Sequence, residues 1–320
     1  MLQLNLFVIS LKKSKAMDKA IKILGLLAII SVCSLFIFGT NTDEIKAIIN
    51  NDKNTSEFYQ IKALKIPDNL DFAGEKVPLN KPEIMERVDR ELLVNTYWQS
   101  NTMLLIKRAH KYFPLIEPIL KKNGIPDDFK YLAAIESGLV NVTSPAGAKG
   151  FWQIMPQTAK ELSLEVNDNV DERYNVEKST EVACDYLLKA KKKFGNWTLA
   201  AASYNAGMTG VSRKQSEQFV DDYYDLLLSE ETKRYIPRII AMKEILSNPA
   251  KYGFVFDKED LYVEDATKTI KVDTAIANIA RFSKDLGTNY NVMKLHNPWL
   301  RENSLNNSSR KVYEIKVPVK

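Results

Sequence analysis

Cysteine and histidine are scarce in this chain, and their scarcity removes several kinds of chemistry. There are two cysteines in 320 residues, Cys33 and Cys184. Cys33 lies inside an apolar N-terminal run, with Val32 before it and apolar residues after it, a setting unlike that of a lipidated cysteine. A chain cut after that run keeps one thiol and can form no internal disulfide. Cys184 falls within an amphipathic helical pattern, where a small buried hydrophobe is expected. The two histidines, His110 and His296, stand far apart without metal-ligand spacing. Metal, Cys–His and Ser–His–Asp chemistry are therefore set aside, and no metal or cofactor is expected.

An excess of charge is lacking as well. The formal net charge is +5, but residues 1–40 contribute +4 of it through five lysines and Asp18. The remainder is nearly neutral, so the basic balance gives no argument for nucleic-acid binding. With 45% hydrophobic and 27% charged residues there is no bias toward disorder or a fibre. The length exceeds that of one compact domain, so a main domain with an extension is expected.

What is present begins with an export pattern. Lysines precede an uncharged run from Ile23 to Gly39, "ILGLLAIISVCSLFIFG". At roughly 17 residues it is at the short limit for a membrane span, which needs about 20. Cleavage and retention as an anchor are both open, and Met17 offers an alternative start. Either way the bulk of the chain is expected outside the cytoplasm, in the periplasm or cell envelope. Residues 41–64 read as a polar linker. "IPDNLDFAGEKVPLNKPE", with three prolines, reads as an extended segment hugging the surface. Helical patterns dominate from about Glu83 to Leu246. Beyond "NPAKYGF", "TIKVD" and "KVYEIKVPV" alternate like strands around two short helical stretches, a strand–helix–helix–strand unit. The fold class is mainly α with a small C-terminal α+β unit. The boundaries are a main domain over 65–255 and an appended unit over 256–320.

One glutamate breaks the pattern of the main domain. In "IPDDFKYLAAIESGLV", Pro126, Asp127 and Asp128 are helix-start signals. At 100° per residue, Phe129, Leu132, Ala133 and Val140 share a face, and Glu136 lies in the middle of it. Desolvation there raises a carboxyl pKa, and an acid kept protonated near neutral pH is what protonating a sugar leaving group requires. A lysine-paired structural glutamate is the bland reading, but such pairs sit on polar faces. Next comes "TSPAGAKG", whose small residues let backbone approach a ligand, and then "FWQIMPQTA", with stacking surface and the Gln153 amide. Trp152 and Met155 read equally well as core. "NWTLAAASYNAG" is a helix capped by Asn196 and stopped by Gly207, with Tyr204 and Asn205 emerging at its end. In "LSEETKRYIPRIIAMKEIL", Ser229 is the cap, and Glu231 and Tyr235 share a face.

These segments, in this order, resemble the soluble-lytic-transglycosylase (lysozyme-like) family, and within it the membrane-bound D-type subfamily. The matching motifs are "ESGLVNVTSPAGAKGFWQIMPQTA", "AAASYNAGMTGV" and "ETKRYIPRIIAMKEILSNPAKYG", and the likeness covers roughly residues 65–255. The C-terminal unit resembles a degenerate LysM module. The resemblance implies a lysozyme-like helical domain that cleaves the MurNAc–GlcNAc bond of peptidoglycan glycan strands without water, acting as a monomer. It implies Glu136 as acid and then base, Ser137 as a helper orienting that carboxyl, and Gln153, Met155, Tyr204, Asn205, Glu231 and Tyr235 as the groove. Departures are small, such as Lys233 where arginine is more usual. Two other readings stay open: a hydrolytic lysozyme using Glu231, Asp168 or Asp171 as second carboxylate, and a catalytically silent wall-binding protein.

Overall fold

Alternation in "DFAGEK" is enough to make a hairpin after the proline-rich lead-in. β1 (Asp71–Phe72) and β2 (Glu75–Lys76) pair antiparallel, with Phe72 opposite Glu75. Ala73 and Gly74 turn the chain with φ of 54° and 79°, the left-handed pair that a two-residue hairpin requires. This computed structural model describes residues 61–319. The lead-in does more than hug the surface as expected: Leu70, Phe72 and Val77 are buried, and Phe72 meets Phe129 edge-on at 5.1 Å. Apolar side chains on one face of the hairpin had a core to enter.

The long helical pattern that follows is two helices, α1 (Pro82–Tyr97) and α2 (Gln99–Lys122), broken at Trp98. α3 (Phe129–Ser137) is ended by Gly138 in the left-handed conformation. It starts later and stops sooner than the sequence pattern suggested. Val140 consequently lies in the following loop and is exposed, off the face it was assigned to. After a loop come α4 (Pro156–Glu161), α5 (Val176–Phe194) and α6 (Trp197–Ala206). The Asn196 side chain caps α6 as expected, accepting from the Leu199 amide. α7 (Met208–Gln218) leads to α8 (Glu230–Ser247), capped by Ser229. α8 packs against α1, α3 and α6, and α5 against α2 and α6. The fully buried run Ala200–Ala202 lets α6 sit close to its neighbours. Cys184 is buried on α5, and burial pushes its thiol up to about 12, so it serves as a small hydrophobe.

The strand–helix–helix–strand reading holds for the C-terminal unit. β3 (Thr267–Val272) and β4 (Tyr313–Pro318) pair antiparallel, Ile270 opposite Ile315, around α9 (Ile279–Asp285) and α10 (Tyr290–His296). Its core joins Met293, Trp299, Leu305 and Ile315 with Val170 and Tyr174 of the main domain. Residues 63–320 form one compact unit. Among the described residues no helix is long and apolar enough to cross a membrane; the Ile23–Gly39 run lies outside them.

The loop between α3 and α4 is pressed against the segment before α5. Gly150 has φ +79°, and a Cβ there would lie 1.9 Å from the carbonyl oxygen of Arg173. Backbone cannot yield as a flexible side chain can. We expect Gly150→Ala to destabilise the fold by more than about 2 kcal/mol, from left-handed strain plus overpacking. Thermal unfolding checks this; an unchanged midpoint would show that the two segments are not in contact.

Candidate active site

The carboxyl of Glu136 sits one residue from the end of α3, partly buried, with Leu132 and Ala133 fully buried on the preceding turns. The Tyr235 hydroxyl, from the buried face of α8, donates to its Oε1. Burial raises the Glu136 pKa and the Glu231 charge adds to the rise, while the Tyr235 bond and the charge of Arg238 oppose it; the balance is about 7. The Tyr235 phenol is itself pushed well above its ordinary value, by burial and by the carboxylate beside it, so it remains a donor. With Oε1 engaged, the proton of the neutral acid belongs on Oε2.

Of the predicted residues Tyr235 bonds this carboxyl directly, and the others are held by specific bonds to their own neighbours. Tyr204 is half-buried, and its hydroxyl donates to the Trp152 carbonyl at 2.7 Å. Gln153, Met155 and Tyr204 line one small recess against α5. Gln153 is held with φ +46° by its amide donating to the Gly150 carbonyl at 2.8 Å and to that of Val142 at 3.2 Å. Asn205 donates to Glu231 at 3.1 Å and accepts from Thr232 at 2.8 Å, joining the end of α6 to the start of α8. Ser137 departs from its expected part. Its hydroxyl donates to the Phe151 carbonyl at 2.9 Å, tying α3 to the loop instead of orienting the neighbouring carboxyl. Trp152, read equally as stacking surface or core, is core: it is fully buried and donates from Nε1 to Thr180 at 2.8 Å.

The three acids weighed as a second carboxylate have different fates. Asp171 is 2% exposed and bound by Arg173 at 2.8 Å and Lys149 at 3.3 Å. Burial would raise its pKa, but these two cations hold it below the usual carboxylate range. Asp168 is exposed in a polar loop. Glu231, exposed at the start of α8, is the one whose charge reaches Glu136.

Two features escaped the sequence reading. Glu91 of α1 is 1% exposed and accepts from Arg234 at 2.7 Å and Arg90 at 2.6 Å, with Arg238 at 3.4 Å. It neutralises the two arginines that flank Tyr235 on α8. A signal was available: Ile84, Val88, Leu92 and Asn95 mark the buried stripe of α1, and Glu91 falls on it, as Glu136 does on α3. The other is Arg173, whose guanidinium donates to the Gly147 and Ile154 carbonyls at 3.1 and 3.3 Å. Nothing local marked it.

The raised pKa of Glu136 makes stability depend on pH. Its value is about 7 in the fold against an unperturbed 4.5. Between those values the folded state binds more protons than the unfolded one, so stability falls as pH rises, then levels above the folded pKa. Gln at 136 keeps the acceptor for Tyr235 and removes the ionisation. We expect the stability difference, Glu136→Gln minus wild type, to be near zero below pH 4.5, to grow to roughly 2–3 kcal/mol by neutral pH, and then to plateau. Unfolding curves across pH 4–9 measure it. A variant less stable than wild type at pH 8 would mark Glu136 as a structural ion-pair partner.

Comparison with known proteins bears on the same segments. Residues 114–226 match the family described as Transglycosylase SLT domain, and residues 268–320 match the Soluble lytic transglycosylase C-terminal LysM-like domain. Membrane-bound lytic murein transglycosylase D of Escherichia coli (strain K12) is 32% identical over 191 residues, which are 57% of this chain and 41% of that protein. The chain thus spans about two fifths of that relative's length. Among solved structures, the 70 kDa soluble lytic transglycosylase SLT70 of Escherichia coli aligns at 19% identity over 62% of this chain and 40% of that one, with a TM-score of 0.39. Lytic transglycosylase Slt of Pseudomonas aeruginosa aligns at 17% identity over 59% of this chain and 37% of that one, with a TM-score of 0.35. The segment that matches the SLT domain carries Glu136, the loop that follows it, Tyr204 and Asn205, while Glu231 and Tyr235 lie beyond it; the segment that matches the LysM-like domain takes in most of the C-terminal unit.

Proposed function

We propose that this protein is a peptidoglycan lytic transglycosylase, cleaving the β-1,4 bond from MurNAc to GlcNAc and leaving 1,6-anhydroMurNAc ends. The observation that carries this reading is Glu136: an acid of pKa about 7, partly buried and bonded by Tyr235, near the end of a helix whose preceding turns are buried. At neutral pH a sizeable fraction is protonated. The acid gives its proton to the glycosidic oxygen as the C1–O bond breaks. The carboxylate left behind takes the proton of the sugar's own C6 hydroxyl, whose oxygen closes on C1. One group serves as acid and base, and the nucleophile is tethered, so no bound water need be positioned. Gln153, Met155, Tyr204 and Asn205 form walls against which sugar rings lie. Glu231 and Tyr235 shift the acidity of Glu136 in opposite directions, and Ser137 holds the loop. The glycan strands place the protein in the cell envelope, with residues 1–40 as signal or anchor.

Product chemistry tests the reaction. Intact peptidoglycan digested in heavy-oxygen water should give unlabelled anhydro-muropeptides by mass analysis. Labelled reducing ends at comparable yield would replace this reading with a hydrolase that uses Glu231 as base. Absence of any cleavage would leave a wall-binding protein. Glu136→Gln should lower the rate by about 10³-fold or more, as loss of the acid–base group requires.

The pH profile tests the control of acidity. Cleavage should decline as pH rises past the Glu136 pKa, because the acid form is lost. The Tyr235 bond lowers that pKa and the Glu231 charge raises it. Tyr235→Phe should therefore move the descending limb to higher pH, and Glu231→Gln should move it lower. Shifts of the same sign in both variants would show that neither acts through Glu136.

A further inference from the structure

The C-terminal unit and the loop between α3 and α4, here the groove loop, both bond to one short segment, residues 165–174. We infer that Arg173 is a positioning residue for the groove loop, and that the C-terminal unit takes part in cleavage by holding the segment that carries it. The inference concerns the catalytic reading given above, but its physical part stands without it.

The unit is bonded to this segment along its length. Val170 bridges Leu300 in antiparallel fashion, and the Asp171 amide donates to the Trp299 carbonyl at 2.9 Å. The Arg301 amide donates to the Asn169 carbonyl at 2.9 Å. The Asn169 side chain donates to the Ser304 carbonyl at 2.7 Å and accepts from the Asn306 amide at 2.8 Å. The Arg301 guanidinium lies 4.2 Å over the Tyr174 ring, and Lys311 pairs with Glu165 at 2.6 Å. Val170 and Tyr174 complete the unit's apolar core. A module meant to swing free would not complete its core with residues of another domain.

The same segment also carries the groove loop. Arg173 is 3% exposed; it is forked onto Asp171 and donates to the Gly147 and Ile154 carbonyls. Lys149 reaches Asp171, the Tyr174 hydroxyl bonds Thr143 at 2.9 Å, and Gly150 lies against the Arg173 carbonyl. Gln153 and Met155 thus stand on a loop whose back is fastened to Arg173 and whose fastening is fixed by the C-terminal unit. The Arg173 bonds to Asp171 and to the Ile154 carbonyl are buried, and a buried hydrogen bond or ion pair has one low-energy geometry and transmits displacement instead of absorbing it.

The test uses the full chain with mild substitutions at the junction: Asn169→Ala, which removes two bonds to the C-terminal unit, and Arg301→Ala, which removes the exposed stack on Tyr174. Neither touches the groove. Hydrogen exchange is followed at the Lys149 and Ile154 amides, which bond across the groove loop, together with the cleavage rate at saturating peptidoglycan. In Asn169→Ala, exchange at both sites should accelerate on the order of tenfold. Cleavage should slow several-fold without a shift in its pH profile, and unfolding should remain one transition. Arg301→Ala should do the same to a smaller extent. Faster exchange confined to residues 299–306, with loop amides and cleavage rate unchanged, would overturn the inference. So would separate unfolding transitions for the two parts. If the wild type cleaves nothing, the exchange result still decides whether the unit holds the loop.

Discussion

A carboxyl placed on the apolar face of a nine-residue helix is the constraint around which this domain is organised. Left alone among Leu132 and Ala133, an ionised Glu136 would be prohibitively desolvated, and a fully neutral one could not act as a base. The fold settles between these by giving it one donor, Tyr235, and by bringing charges of both signs to a distance. Glu231 raises its pKa and Arg238 lowers it. Glu91 engages Arg238 and Arg234 at the same time, so that the arginines flanking Tyr235 brace α8 against α1. The packing of α1 on α8 thereby braces the helix that carries Tyr235.

The second requirement is a loop that can run close behind the carboxyl. Small residues make this feasible. At Gly150 the chain passes so near the Arg173 backbone that even a methyl group has no room. The stretch "TSPAGAKG" has little side-chain mass with which to pack, so its order comes largely from polar fastenings. Arg173 supplies them inside the domain and Ser137 from the end of α3. The C-terminal unit adds its weight through Val170 and Tyr174, which makes it part of the same packed body.

Much of this was legible beforehand because it depends on neighbours in sequence. The Asn196 and Ser229 caps, the strand pairing of "TIKVD" with "VYEIKVP", and the buried alanines of α6 follow from periodicity and local hydrogen bonding. Glu136 was conspicuous for the same reason. The failures are equally physical. Gly138 adopts the left-handed conformation and ends α3 at Ser137, three residues short of Val140, where periodicity alone gives no reason to stop, which removes Val140 from the helix face. Phe72 was assigned to a surface segment because prolines surround it; what buries it is Phe129, far along the chain.

The sequence by itself determined the helices, the small C-terminal sheet, the apolar stripe and the misfit glutamate on it, since each is set within a few residues. Tertiary structure alone decided which groups the polar atoms meet. It gave the Ser137 hydroxyl to the Phe151 carbonyl and not to Glu136, withdrew Asp171 into a pair with Arg173, and set Tyr235 of α8 on the carboxyl. Desolvation and hydrogen bonding act over a few ångströms of space regardless of separation along the chain, so the state of a titrating group is a property of the assembled fold.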